Sequence, residues 1–224
     1  TWGTDSTGTT PTSSFTNGAS VTQSTGNGNY YVTAKACDTA GNCTTVTSSV
    51  FLLDNEAPTI VFGTNGNSTY QKSQSSIITA SDDKSGIKND DLKYTWSTST
   101  TATPSNGFTN GAEVVKNTES GNYYIVAKAC DNAGNCTTVS SNVFKLDNEA
   151  PVITFTPDGN TTYAQSQSSK IEVTDGYSGG KTDTYKYIWS TTTSATPLTA
   201  FESGLTYTLS GETGSYYLIA HACD

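Results

Sequence analysis

One alternating pattern of apolar and polar residues occurs three times along the chain, each time after a Gly-x-Tyr-Tyr sequence. Alternation is typical of a strand with one buried face, because successive side chains point to opposite sides of a sheet. In the second copy every other residue from Tyr123 to Ala129 is apolar, and Asp131 ends this row. We predict that this row is buried. The other row, which includes the cysteine, is predicted to face solvent. The predicted solvent-facing row is Tyr124, Val126, Lys128 and Cys130.

Six or seven strands are expected in the middle third of the chain, where apolar or alternating runs are separated by clusters of Gly, Asn, Ser and Asp. High Thr content also favours strands over helices, since β-branched side chains fit a pleated surface. The predicted strands are Thr59–Phe62, Ser76–Ala80, Lys93–Thr98, Glu113–Val115, Asn122–Cys130 and Cys136–Leu146.

An internal repeat of 93 residues organises the chain, since Cys37, Cys130 and Cys223 are each 93 residues apart, as are Trp96 and Trp189. This period suits one immunoglobulin-sized sandwich per repeat. The predicted fold class is therefore all-β, with tandem immunoglobulin-like β-sandwiches. Residues 1–53 are predicted to be the C-terminal part of a repeat, 54–146 a complete repeat, and 147–224 a repeat lacking its last strand. We expect the polypeptide to continue in both directions as an array.

Composition narrows the choice of partners. The 224 residues include 42 Thr and 28 Ser, no Arg, and a formal net charge of -9. Binding to nucleic acid or to an anionic membrane is disfavoured, because both need clustered basic side chains. No run of 18 apolar residues predicts a membrane span, and nothing predicts a signal peptide in these residues.

Three motifs resemble those of a known group of modules. The sequence ACDNAGN ends the second Tyr-Tyr strand, LDNEAPVI follows it, and Ser81–Ile87 contains an Asp-x-x-Ser-Gly loop. Together they resemble hyalin-repeat (HYR) modules and related bacterial Ig-like surface modules. The resemblance implies a sandwich fold and a spacer or adhesive role. The third copy departs from this loop, because Thr174–Gly180 keeps one Asp but loses the second Asp and the Ile.

The cysteines flank the tips of predicted hairpins. Cys37 and Cys43, and likewise Cys130 and Cys136, are separated by five residues. A hairpin brings two such positions opposite each other, which suits a disulfide. Free thiols and a zinc site are the alternatives, although no His stands near either pair. Cys223 is the odd fifth cysteine.

Acidic and amide residues are expected to converge where one repeat joins the next, because linker and loop ends meet at one pole of such a sandwich. Their oxygens suit Ca²⁺, which takes about six to eight oxygen ligands. The linkers are similar to those of cadherins, where calcium stiffens an array. The alternative is that these side chains form Asx turns that bind loop backbones. The candidate residues are Asp54, Asn55, Glu56, Asp82, Asp83 and Asp131 at one junction, and Asp147, Asn148, Glu149, Asp175 and Asp224 at the next.

Catalysis has little support in the sequence, since the only histidine, His221, is equivalent to Lys35 and Lys128 on the predicted solvent face. We expect no enzyme activity and no organic cofactor. The leading hypothesis is an extracellular stalk or fibre of a bacterial cell-surface adhesin, whose partners are neighbouring repeats and a host or environmental surface ligand. One alternative is a glycan- or protein-binding module, and another is an accessory repeat of a large extracellular enzyme. A glycan site would use the tyrosines Tyr31, Tyr124, Tyr177 and Tyr217.

Overall fold

The computed structural model describes all residues 1–224, and its only helical segment is a 3₁₀ turn at Asn89–Asp91. The all-β prediction is confirmed. The strands in chain order are β1 (Trp2–Gly3), β2 (Gly28–Cys37), β3 (Cys43–Thr47), β4 (Phe51–Leu53), β5 (Thr59–Phe62), β6 (Asn67–Gln71), β7 (Gln74–Ser81), β8 (Lys93–Ser97), β9 (Asn106–Gly107), β10 (Glu113–Lys116), β11 (Gly121–Cys130), β12 (Cys136–Ser140), β13 (Phe144–Leu146), β14 (Val152–Thr156), β15 (Ser166–Thr174), β16 (Lys181–Ser190), β17 (Thr199–Ala200), β18 (Leu205–Ser210) and β19 (Tyr217–Cys223).

Five sheets contain these strands. Residues 54–146, called the middle repeat below, supply two of them, with strand orders β10-β7-β5 and β6-β13-β11-β8-β9, and β12 also pairs with β11. Residues 1–53, the first repeat, form β1-β2-β3 with β4 on β2. Residues 147–224, the third repeat, form β14-β15-β18 and β17-β16-β19. Sheets that carry their apolar residues on one face are the layers of Ig-like sandwiches.

Contacts along the chain define two compact units. Unit 1 comprises Thr1–Gly63, Ser76–Val114 and Ile125–Ser141. Unit 2 comprises Thr64–Ser75, Val115–Tyr124 and Asn142–Asp224. The middle repeat therefore contributes residues to both units.

The core of unit 1 contains the inner row of β11. Ala129 packs with Ala80 and Leu92, and Ile125 and Ala127 are fully buried. The core of unit 2 is aromatic, because the rings of Tyr185 and Phe201 stack with centroids 5.2 Å apart beside Ile171.

The predicted burial of the Tyr-Tyr strands is confirmed for the inner row of the middle repeat and for the outward Tyr217 and His221 of the third repeat, which are exposed, but it is wrong for part of the outer row of the middle repeat. Val126 and Cys130, predicted to face solvent, are 1% and 4% exposed. Strand β11 is a central strand, with β8 on one side and β12 and β13 on the other, and the Sγ atom of Cys130 is bonded to Cys136. In the first repeat the last alanine of the inner row, Ala36, is exposed.

The predicted strand Cys136–Leu146 is two strands, β12 and β13, which pair with successive parts of β11. The break begins at Ser141, whose hydroxyl oxygen accepts the backbone N–H of Ile125 at 2.9 Å. The Ser141 hydroxyl thus accepts a hydrogen bond that a backbone carbonyl of a paired strand would otherwise accept. The first repeat has the equivalent hydrogen bond, in which the hydroxyl of Ser48 accepts the backbone N–H of Val32 at 2.9 Å.

Candidate functional site

Asp131 organises the tip of the β11–β12 hairpin and is 0% exposed. Its Oδ1 accepts the backbone N–H groups of Gly134 and Asn135 at 2.6 and 2.8 Å. Its Oδ2 accepts the side-chain amide of Asn135 at 2.7 Å. A buried carboxylate needs such donors, since an unsatisfied one costs several kcal/mol by desolvation. These bonds fix the position of the Asp131 carboxylate at the end of the inner row.

The loop after β7 is closed in the same manner. Asp82 Oδ1 accepts the N–H groups of Lys84 and Gly86 at 3.1 and 2.7 Å, which is an Asx turn. The loop is tied to the hairpin because the amide of Asn132 donates to the carbonyl of Ser85 at 2.8 Å. Asp82 and Asp131 are thereby brought to one place in unit 1.

The linker at Asp54 completes this group. Asp54 Oδ1 accepts the N–H of Glu56 at 3.1 Å, and Oδ2 accepts the N–H of Ser85 at 3.0 Å. The side-chain amide of Asn135 also donates to the carbonyl of Asp54 at 3.1 Å. The linker is therefore bound to both the loop and the hairpin of the repeat that follows it.

Asn55 binds the linker to the repeat that precedes it. Its backbone N–H donates to Asn27 Oδ1, and its side-chain amide donates to the carbonyl of Gly26, both at 2.7 Å. Gly26 has a φ of 87°, a left-handed conformation that favours glycine. Consecutive linker residues thus bind opposite neighbours.

One carboxylate oxygen from each of Asp54, Asp82 and Asp131 lies within 4.8 Å of the others, and we call this set cluster 1. None of the three takes part in any of the ion pairs of the chain. Glu56 and Asp83, which the sequence places beside this group, are exposed and lie outside it. Of the six residues predicted to meet at this junction, three bring their carboxylates together, namely Asp54, Asp82 and Asp131.

Asp147, Asp175 and Asp224 form cluster 2 in unit 2, with the same 4.8 Å limit on the separation of their oxygens. The Asx turn is repeated, because Asp175 Oδ1 accepts the N–H groups of Tyr177 and Gly179 at 2.9 and 2.7 Å. Asp147, 3% exposed, accepts the N–H of Ser178 at 2.9 Å. The other oxygen of Asp175, Oδ2, is buried and has no hydrogen-bond partner in the structure.

The second linker is also bound to its preceding repeat. The N–H of Asn148 donates to Ser120 Oγ at 2.8 Å, and its side-chain amide donates to the carbonyl of Glu119 at 2.9 Å. Glu119 has a φ of 66° and occupies the position of Gly26. Glu149 is exposed and lies outside cluster 2.

Hydrogen bonds to the linker carboxylates affect their ionisation. Hydrogen bonding from the Ser85 side chain, helped by the N–H groups of Glu56 and Ser85, lowers the pKa of Asp54 below its ordinary value. Burial acts to raise the pKa of Asp147, but hydrogen bonds from Ser178 outweigh it and lower that pKa. Both carboxylates are therefore anionic at neutral pH, as a cation ligand must be.

Both predicted disulfides are present. Cys37 is bonded to Cys43 and Cys130 to Cys136, with Cα atoms 4.0 and 4.1 Å apart. Cys223 is a free thiol whose Sγ lies 3.3 Å from the Nε2 atom of His221.

The tyrosines proposed for a glycan surface differ in their surroundings. Tyr31 and Tyr124 are half-buried, whereas Tyr217 is 49% exposed. Tyr177 contacts Tyr70 with ring centroids 6.0 Å apart.

Several residues that hold the clusters were missed by the sequence reasoning, and all are polar residues of ordinary loops. Their recurrence at the 93-residue spacing was the available signal, since Ser85 has its counterpart at Ser178 and Asn42 at Asn135. The first repeat confirms the hairpin role, because Asn42 donates its side-chain amide to Asp38 Oδ2 at 2.9 Å.

The structure has no helix that could serve as a membrane span, since a span needs at least 18 mostly apolar residues. Residues 3–55 and 62–148, more than half of the chain, match the profile of a family described as a bacterial Ig-like domain. A comparison with curated proteins gives no significant match.

Proposed function

Since the chain belongs to the family of bacterial Ig-like domains, we propose that it is a stalk or fibre segment of a cell-surface adhesin. Domains of this kind are surface or structural modules, and both the family and the two disulfides are compatible with an extracellular location. A stalk works by transmitting force and holding a terminal binding region away from the cell. Its repeats therefore need linkers that do not act as free hinges.

The observation that supports this role is the two-sided binding of each linker. Asn55 binds the repeat before it, and Asp54 binds the repeat after it. Asn148 repeats the first arrangement and Asp147 the second. A linker that served only as a tether would need no such bonds, because short polar segments remain flexible unless they are tied down.

Distance distributions between spin labels test whether the linker restricts motion. Labels at the exposed positions Thr45→Cys and Thr138→Cys, in a Cys223→Ser background, report on the first and middle repeats. We expect a narrow distribution that broadens in the double variant Asn27→Ala and Asn55→Ala. The matched control is Asn29→Ala, which changes an exposed asparagine of β2. A broad distribution in the unaltered linker would contradict the proposal.

We include calcium in this proposal, held by clusters 1 and 2. Oxygens no more than 4.8 Å apart can all reach one ion, because Ca²⁺ binds oxygen at about 2.3 to 2.6 Å. The donors are hard carboxylate oxygens, and the buried Oδ2 of Asp175 lacks a partner that a cation would supply. The Asx turns and a cation are compatible, since each carboxylate oxygen has more than one lone pair. Bound calcium would supply positive charge between the linker and the loop of the following repeat.

Calorimetric titration and thermal melting of the whole chain, with Ca²⁺ and with chelator, test the metal proposal. We expect two binding events and a higher melting temperature, since a ligand at about a hundredfold its Kd stabilises by about 2.7 kcal/mol. Asp82→Asn removes charge but keeps an oxygen for the Asx turn, so it is expected to abolish one event. Asp83→Asn, the same change outside the cluster, is expected to abolish none. Absence of heat and of any melting shift would overturn calcium without bearing on the spin-label result.

A further inference from the structure

Two tyrosines from successive repeats meet beside the second linker, inside unit 2. Tyr70 belongs to β6 of the middle repeat, and Tyr177 belongs to the loop after β15 of the third repeat. Their ring centroids are 6.0 Å apart and their ring planes are inclined by 59°, which is within the range of direct aromatic contact. We call Tyr70 and Tyr177 the junction pair.

The linker residue Asp147 fixes the backbone on both sides of the junction pair. Its N–H donates to the carbonyl of Gln71, the neighbour of Tyr70, at 3.0 Å. Its carboxylate accepts the N–H of Ser178, the neighbour of Tyr177, at 2.9 Å. One linker residue therefore holds the two tyrosines at the same place.

The ring of Tyr70 is also restrained by its own repeat. Lys145 of β13 places its Nζ atom over this ring, 5.2 Å from the centroid, which is a cation–π contact. Strand β13 pairs with β6, so the cation and the ring belong to one sheet. The remaining freedom of a tyrosine ring is rotation about χ2, whose energy wells are broad. Such rotation brings an edge of one ring towards the other without moving the backbone.

The junction pair differs from a core contact because it is open to solvent and has unused hydroxyl groups. Tyr177 is 36% exposed, and the structure gives no hydrogen bond to the hydroxyl group of Tyr70 or of Tyr177. The rings of Tyr187 and Tyr207 lie closer, with centroids 4.5 Å apart, but they pack in the core of one repeat. The hydroxyl group of Tyr207 is bound to the backbone of Glu202. A dissolved oxidant therefore reaches the junction pair more easily than this core pair.

The two linkers of the chain differ in this respect. The residue equivalent to Tyr177 after the first linker is Lys84, 93 positions earlier. A pair of phenols of this kind is therefore confined to the second linker.

We propose that the junction pair is a site of oxidative cross-linking, at which a peroxide and a peroxidase join successive repeats as dityrosine. One-electron oxidation removes the hydroxyl hydrogen atom from each phenol, and the two tyrosyl radicals couple through one ring carbon beside each hydroxyl-bearing carbon. Each coupled carbon then releases its hydrogen as a proton, and each oxygen takes up one proton. The peroxide accepts the two hydrogen atoms and leaves as two water molecules. The chain thereby gains one carbon–carbon bond and loses two hydrogen atoms.

Coupling within one chain is favoured because the linker already holds the two rings together, so the reaction does not require a chance encounter of two molecules. The product is a covalent bridge between two repeats that the linker otherwise joins by hydrogen bonds. This inference goes beyond the stalk function and does not depend on calcium.

Treatment of the whole chain with a haem peroxidase and hydrogen peroxide tests the proposal. Dityrosine fluorescence, intact mass and mapping of the joined peptides are the measurements. We expect a monomeric product that has lost two hydrogen atoms and in which the Tyr70 and Tyr177 peptides are joined. Tyr70→Phe and Tyr177→Phe keep the aromatic ring but remove the hydroxyl hydrogen. Each is expected to lower the yield of this product by about tenfold or more, because only chance encounters then remain.

Two matched variants serve as controls. Tyr207→Phe removes a hydroxyl group from the core pair and is expected to leave the yield within one chain unchanged. Tyr163→Phe removes a tyrosine that is 92% exposed and is expected to lower only the cross-linking between chains. If Tyr207→Phe lowers the yield within one chain as much as Tyr177→Phe does, the proposal is overturned.

The folded arrangement is tested by repeating the oxidation in urea. Unfolding separates the two rings, so we expect the product that joins Tyr70 to Tyr177 to disappear while other cross-links remain. An equal yield of that product in urea would overturn the proposal. So would a folded chain that forms dityrosine only between molecules, or none at all while free tyrosine in the same mixture is coupled.

Discussion

The hairpins β2–β3 and β11–β12 have nearly the same sequence and the same internal bonds, yet they differ in burial. Asp38 and Asp131 each accept a backbone N–H and an Asn side-chain amide from their own loop. Asp131 is 0% exposed, whereas Asp38 is exposed. The comparison teaches that the local sequence determines the hairpin, while burial depends on the strands and loops packed around it.

The largest expected contrast is between Asp131→Ala and Asp38→Ala. Replacing the buried Asp131 carboxylate removes three hydrogen bonds to an ionised acceptor, from the N–H groups of Gly134 and Asn135 and from the Asn135 side chain. We therefore expect a loss of about 2 to 4 kcal/mol in the free energy of unfolding. Asp38→Ala exposes its donors to water and is expected to have a much smaller effect. Denaturant unfolding of both variants measures the difference. Equal losses would mean that burial does not distinguish the two hairpins.

A second contrast uses the last alanine of each inner row. Ala129 is fully buried against Ala80 and Leu92, so Ala129→Leu is expected to destabilise by about 1 to 3 kcal/mol through overpacking. Ala36→Leu adds the same atoms at an exposed position and is expected to be close to neutral. Thermal melting checks both. A destabilising Ala36→Leu would show that this row is covered in solution.

The two disulfides are expected to stabilise their hairpins to a similar extent, although one hairpin is exposed and the other is buried. Closing a loop of this length restricts the unfolded chain by about 2 kcal/mol in the chain-entropy model, regardless of burial in the folded state. We therefore expect similar increases in amide hydrogen exchange when either cysteine pair is replaced by alanine. A much larger increase for Cys130 and Cys136 would indicate that native packing, and not chain entropy, dominates.

The smallest expected effect is a pH dependence at Asp38. Hydrogen bonds from the Asn42 side chain and backbone lower the pKa of Asp38 in the folded protein. The resulting stabilisation is complete above the unfolded pKa of about 3.9 and is lost as pH falls through the lower folded pKa. Hydrogen exchange in the β2–β3 loop is expected to increase below about pH 4. Asp38→Asn keeps the acceptor oxygen and should flatten this dependence.

Sequence patterns predicted the features that depend on local chemistry. The alternation of Tyr123, Ile125 and Ala127 predicted a strand with one buried row, and the cysteine spacing predicted both disulfides. Asp54, Asp82 and Asp131 were predicted to converge, and their carboxylates do.

Features that depend on neighbouring segments could not be read from the pattern. Val126 is 1% exposed although its row alternates with the inner row, and alternation within one strand does not reveal which segments pack on it. The break at Ser141 depends on a hydroxyl that replaces a ladder carbonyl. Asp82 and Asp83 are adjacent and chemically alike, and only the loop conformation makes Asp82 the member of cluster 1.

The two-sided linker also implies an order of folding during synthesis. Asn55 binds Asn27, which lies only 28 residues earlier in the chain. The carbonyl of Asp54 accepts a hydrogen bond from Asn135, which lies 81 residues later and is therefore synthesised after the linker. Shorter loops close with less entropy loss, and the earlier partner emerges from the ribosome first. Each linker therefore docks backwards onto a finished repeat and then provides a fixed surface on which the next repeat folds. Folding of the consecutive repeats is in this sense vectorial, from the N-terminal end to the C-terminal end.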